Sequence, residues 1–183
     1  MDYLGNKLNI FDDDLEVLTY LNSRRQKLDI INILEKIDFF KEINKNDLIS
    51  IASFSSLKQY KKNDIIFLEN SSSEYFYIVI SGVIAINKNI AGGRKRNLEN
   101  LSSGEVFGEL SLFDSNPRNA DAEAIEDSEV IEIPNNKFLD LLQQNCNLAN
   151  IIYKKIISIL CQRLRKTDNL LKESVIWGFR VEA

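Results

Sequence analysis

Between Leu101 and Ala124 the chain reads LSSGEVFGELSLFDSNPRNADAEA, the stretch richest in residues that can do chemistry. Val106-Phe107 makes a short apolar strand, and Gly108 then lets the backbone pass close to a neighbouring group, because only glycine takes positive φ without steric cost. Glu109 to Phe113 is long enough for one helical turn and a little more. The free N–H groups at its start are donors for an anion. Asp114-Ser115-Asn116-Pro117 ends that turn. Arg118 follows as the only cation between Arg96 and Lys137. Backbone donors with one nearby arginine form a phosphate-binding arrangement.

The same residues carry a family resemblance. FGELSLFDSNPRNADAEA resembles the phosphate-binding cassette of cyclic-nucleotide-binding domains, F-G-E-L-A-L-x-x-x-x-P-R-A-A-T-x-x-A, as in cAMP-dependent protein kinase regulatory subunits, catabolite activator proteins and nucleotide-gated channels. Phe107, Gly108, Glu109, Leu110, Leu112, Pro117, Arg118, Ala120 and Ala124 fall on the pattern without gaps. Two positions depart from it: Asn119 stands for the alanine after the arginine, and Asp121 for the threonine or serine. A carboxylate near a bound phosphate costs affinity unless it points away.

Composition narrows the alternatives. The 183 residues contain no histidine, which removes Ser-His-Asp and Cys-His nucleophile arrangements and histidine-ligated metal sites. No P-loop or dinucleotide fingerprint occurs, so no enzymatic activity is expected and no cofactor beyond the nucleotide ligand. A net charge of −4 argues against wholesale nucleic-acid or membrane-surface binding. The first residues have neither a basic nor an apolar signal region, and no run reaches membrane-span length; a cytoplasmic protein is expected. Cys146 and Cys161 fall in helical stretches and are expected as unpaired core residues.

The elements that must position the cassette follow from periodicity. A helix is expected over Asp12–Leu21, with Leu15, Leu18 and Leu21 on one face that packs on the barrel or on a partner, and a second over Ile30–Ile37 anchored by Phe39-Phe40. Asn46 or Asp47 starts a further short helix. From Phe54 the period falls to 2. Asn63 suits a left-handed turn, and Tyr75–Ile80 reads as a strand buried on both faces. YIVISGVIAI is a second match to the family, with Gly82 on its signature glycine. Ala91-Gly92-Gly93 closes a hairpin whose Arg94-Lys95-Arg96 reads as a solvated edge. Strands AEAIE and EVIEI follow, then two helices broken near Asn145–Asn147, the second long.

The resemblance implies an α+β, mainly β fold: an eight-stranded antiparallel jelly-roll barrel flanked by N-terminal helices and a long C-terminal helix. It divides the chain into an N-terminal helical extension (1–33), the cyclic-nucleotide-binding domain (34–172) and a C-terminal tail (173–183). It assigns Arg118 to the cyclic phosphate, the N–H groups around Gly108, Leu110 and Ala120 to the anion shell, and Glu109 to the ribose 2′-hydroxyl. Asn119 stands where cGMP-preferring relatives commonly place threonine, so cAMP is favoured over cGMP. Thr167 and Asp168 match base-contacting positions, with Arg163 the alternative and Trp177 or Phe179 a lid. The implied function is a stand-alone sensor that passes ligand binding through its C-terminal helix to an unknown protein effector. That helix packs on the barrel or on a two-fold mate, giving a homodimer. No DNA-binding module fits in 173–183. The rival reading is a structural or dimerisation module of the same fold without ligand. Replacing Arg118 or Glu109 is expected to leave the fold intact.

Overall fold

A computed structural model of the protein describes residues 9–114 and 116–181. It divides into two units, residues 1–141 and 142–183. Among the described residues no helix is long and apolar enough to cross a membrane.

The first unit opens on a single helix, α1 (Asn9–Leu34), where two shorter ones are expected. The segment between the two apolar stripes, NSRRQKLD, contains neither glycine nor proline, so nothing interrupts the turns. Ile30 and Leu34 are buried, whereas Leu18 and Leu21 are exposed and pack on no barrel surface. A 3-10 turn (Asp38–Phe40) seats Phe39 and Phe40 edge to face, centroids 4.8 Å apart. Helix α2 (Lys45–Phe54) is capped earlier than expected: the Asn44 side chain accepts the Asp47 N–H at 3.0 Å and donates to its carboxylate. Lys27 on α1 donates to the Ser55 carbonyl at the end of α2.

Eight antiparallel strands follow: β1 (Ser56–Tyr60), β2 (Ile65–Phe67), β3 (Tyr75–Ser81), β4 (Ile84–Ile90), β5 (Arg94–Leu101), β6 (Val106–Phe107), β7 (Asp121–Ala124) and β8 (Ser128–Pro134). Short helix α3 (Leu110–Asp114) interrupts them between β6 and β7. They form two sheets, ordered β1-β8-β3-β6 and β2-β7-β4-β5, rather than one closed barrel. The physical reason lies at the edges: β6 has two residues and β2 three, too few ladder groups to carry pairing across. β3 sits between β8 and β6, and its Phe76 to Val79 are all buried, as the apolar run indicates. Between the sheets lie Tyr77, Val79, Ile84, Leu101, Phe107, Ala122, Ala124 and Val130. Burial of each larger one stabilises the fold by about 1.5–3 kcal/mol. Asn63 takes the left-handed turn at φ +73°.

Helix α4 (Asn135–Gln144) ends at Asn145, whose side chain accepts the Leu148 N–H and so caps α5 (Cys146–Val181). The expected break therefore falls there, and α5 continues beyond residue 172. Cys146 and Cys161 are unpaired but exposed, not core residues. Both lie on α5 away from the row of Leu148, Ile152 and Ile156 that is buried.

Candidate functional site

The site is built where β6 gives way to α3. Gly108 turns the chain at φ +74°, and a Cβ there would lie 2.5 Å from Nη1 of Arg118. Glycine is therefore required twice over, by its conformation and by the guanidinium that occupies the space. α3 starts two residues later, and the Leu112 N–H donates to the Glu109 carbonyl at 3.1 Å. Beyond α3, the Asp114 carboxylate accepts both the backbone and the side-chain N–H of Asn116, closing the turn that returns the chain to Pro117. Those bonds, the side-chain one foremost, hold the Asp114 carboxyl below its ordinary value.

Arg118 then enters the fold rather than solvent: it is 3% exposed. Its backbone N–H donates to Ser71 O at 3.0 Å, and its carbonyl accepts from Asn70 at 2.7 Å. In the side chain, Nη1 donates to Gly108 O at 3.1 Å and Nη2 to Tyr75 O at 2.6 Å. The guanidinium lies 4.0 Å over the Phe67 ring and 5.5 Å from that of Tyr77. Nε is buried without a hydrogen-bond partner. Burial pulls the guanidinium pKa down, while Tyr77 and Glu109 act in the opposite sense. Burial also pushes the Tyr77 hydroxyl up to about 12. Glu109 is buried as well, at 1% exposure.

Of the expected site residues, Gly108 and Arg118 are in direct hydrogen-bond contact, and Glu109 is close enough to bias the arginine's charge. Leu110 is partly exposed at the start of α3, and Ala120 is buried. Asn119 is exposed, its carbonyl accepting from Lys88 Nζ at 2.5 Å. Thr167 belongs to α5 in the second unit, where its hydroxyl donates to the Arg163 carbonyl. The side chains of Trp177 and Phe179 lie outside the described residues.

Asp121, the departure that sets a carboxylate beside the cassette, is already spent. Its Oδ1 accepts the Glu69 N–H at 2.7 Å, and its Oδ2 pairs with Lys95 Nζ at 2.7 Å. Burial alone would raise its pKa; the Glu69 N–H and Lys95 outweigh that and hold it below the ordinary carboxylate value. Lys95, exposed like Arg94 and Arg96, is therefore ion-paired rather than merely solvated. Sequence reasoning missed Phe67, Tyr77, Glu69, Lys88 and Lys95. The only signal for the lysines is strand alternation, which turns Lys95 to the face opposite Arg94 and Arg96.

Fold and site together define an α+β binding domain in which a glycine turn, a short helix and a buried arginine make one cassette on two antiparallel sheets. Residues 57–145 match the family model of the cyclic nucleotide-binding domain. It is similar to the cyclic AMP receptor protein of Thermus thermophilus, 30% identical over 116 residues that cover 63% of this chain and 52% of that protein. It is also 30% identical, over 111 residues, to the cAMP-dependent protein kinase regulatory subunit of Candida albicans, covering 61% of this chain and 23% of that one. A crystal structure of a cyclic nucleotide-binding domain from Methylobacillus flagellatus shares the fold, with a TM-score of 0.69 at 19% identity, covering 81% of this chain and 84% of that one. The chain thus spans about half the length of the Thermus relative and less of the Candida one.

Proposed function

We propose that the protein is a cyclic-nucleotide receptor, with 3′,5′-cAMP favoured over cGMP, whose bound ligand alters its interaction with a protein effector. The observation that carries this reading is Arg118: a cation 3% exposed, whose terminal nitrogens meet neutral carbonyls and whose Nε meets nothing. A buried donor left unpaired costs about 1–3 kcal/mol. A phosphate oxygen at Nε relieves that cost and adds a charge-assisted bond. Gly108, Leu110 and Ala120 supply backbone donors around the same phosphate, Glu109 accepts the ribose 2′-hydroxyl, and Asn119 faces the base. The position of Asn119 supports cAMP, since threonine is the residue associated with guanine there. α5 is the element through which ligand binding is passed on, by a shift in population between its arrangements.

The ligand-free structural module remains the second reading, favoured by the protein carbonyls that already occupy both terminal nitrogens of Arg118. Asp121 no longer argues for it, because its charge is met by Lys95. Calorimetric titration with cAMP and cGMP separates the two. Arg118→Lys keeps the charge but loses the planar fork, and a loss of about 1.5–3 kcal/mol of charge-assisted bonding corresponds to roughly 10- to 150-fold weaker binding. Glu109→Gln is expected to cost less, a single bond to a neutral hydroxyl. Undiminished binding by Arg118→Lys would remove the cassette reading; a parent that binds neither nucleotide at millimolar concentration would favour the ligand-free module. Tenfold tighter binding of cGMP would reverse the base assignment.

A further inference from the structure

Outside the cassette, three charged groups from three other elements converge on its C-terminal end. Glu69, in the loop after β2, has Oε1 2.6 Å from Lys88 Nζ and accepts at Oε2 from the backbone and side chain of Asn89. The same Lys88 Nζ donates to the Asn119 carbonyl at 2.5 Å. The Glu69 N–H reaches Asp121, whose other oxygen is held by Lys95 of β5. The next loop residues, Asn70 and Ser71, hold the backbone of Arg118 at both its carbonyl and its N–H. Every residue from Arg118 to Asp121 except Ala120 is thereby tied to β4, β5 or the loop after β2.

Ala120 is fixed all the same, through its peptide bond. In a planar trans peptide the carbonyl of Asn119 and the N–H of Ala120 point in opposite directions. Lys88, by holding that carbonyl, sets the direction of the Ala120 N–H. A cation on the carbonyl also polarises the amide and makes its N–H the stronger donor. Glu69 is the hub: its carboxylate, nearly buried at 11% side-chain exposure, keeps Lys88 on the carbonyl.

We propose that Lys88, steadied by Glu69, is a positioning residue for the anion site, aiming and strengthening the Ala120 N–H toward the phosphate without touching the ligand itself. This rests on the reading of the cassette as a cyclic-nucleotide site. The test is calorimetric titration of the full chain with cAMP well below its melting transition, together with the 31P resonance of bound cAMP. The variants are Lys88→Met, Lys88→Arg and, as a control for the loss of one surface charge, Lys58→Met on the other sheet.

Lys88→Met is expected to bind about tenfold more weakly and to shift the 31P resonance, Lys88→Arg to recover most of the affinity, and Lys58→Met to match the parent. Parent-like binding by Lys88→Met overturns the inference. So does a loss with the 31P resonance unmoved, which marks general loosening, or an equal loss in Lys58→Met, which marks long-range charge. All three leave the cyclic-nucleotide reading standing. A parent that binds neither cAMP nor cGMP removes that reading and the inference with it.

Discussion

Arg118 and Asp121, three residues apart, are both buried charges, and each is handled differently. Asp121 has a full complement of partners: a backbone N–H and a lysine. Arg118 has two carbonyls, an aromatic face and one unmet donor. A closed ion pair belongs to the scaffold, whereas a buried cation with an open valence belongs to a site. The contrast has a pH consequence. The Asp121 carboxyl titrates below its unfolded value, so its contribution to stability is present above the ordinary aspartate range, near about 4, and is lost as pH falls through the lowered folded value. Lys95 stays charged throughout that window. Asp121→Asn is therefore expected to lower Tm at neutral pH and to flatten the loss of Tm as pH falls below about 4. An acid limb as steep as the parent's would show that other carboxylates carry it. The same variant should gain no affinity for cyclic nucleotide, because the charge it removes is already neutralised; tenfold tighter binding would mean that Asp121 opposes the phosphate.

At the level of elements, the turns set where the strands can meet, and Gly82 between β3 and β4 is the tightest. Its φ is +79°, and a Cβ there would lie 2.5 Å from the Asp127 carbonyl and 2.7 Å from the Ser128 Cα, both backbone atoms. Gly104 has a similar φ of +89° with nothing within 4 Å. Gly104→Ala is expected to cost the conformational term alone, about 1–2 kcal/mol. Gly82→Ala adds overpacking of about 1–3 kcal/mol. Urea unfolding of the two variants isolates the clash; equal midpoints would show that the β7–β8 turn yields. These elements also show what a sequence carries. Gly82, the buried β3 run, Asn63 and the Asn145 break are legible because each is a local preference that the fold does not override. The inward course of Arg118 is not, because Phe67 and the Tyr75 carbonyl, far away in sequence, draw it in. Lys88 and Lys95 are hidden for a related reason: on a charged hairpin, alternation looks the same whether a lysine meets water or a carboxylate. The unbroken α1 was missed because two apolar stripes read as two helices, although nothing between them stops one.

For the molecule as a whole, α5 offers the clearest surface for a second copy. Asn150, Tyr153, Ile157, Leu160, Leu164, Thr167 and Leu171 follow the alternating three- and four-residue spacing of a heptad seam. Within it Tyr153, Ile157, Leu164 and Leu171 are 43–62% exposed, so a mainly apolar line faces outward along the helix. Arg163 and Asp168 flank that line at the two positions that pair between helices running parallel, and their charges are opposite. The polar Asn150 and Thr167 in the seam cost stability but favour one register, as polar seam residues do. A two-fold dimer through this seam is the expected outcome, with a pairing that responds to a ligand altering α5. Leu164→Asp places a carboxylate opposite its own copy in the seam, while in the single chain it changes only an exposed side chain. Light scattering after size exclusion is expected to give twice 21.0 kDa for the parent and 21.0 kDa for Leu164→Asp, with unchanged Tm in the dilute limit where both are single chains. A parent of single-chain mass at high micromolar concentration, with and without cAMP, would mean that the seam is made for the effector and not for a second copy.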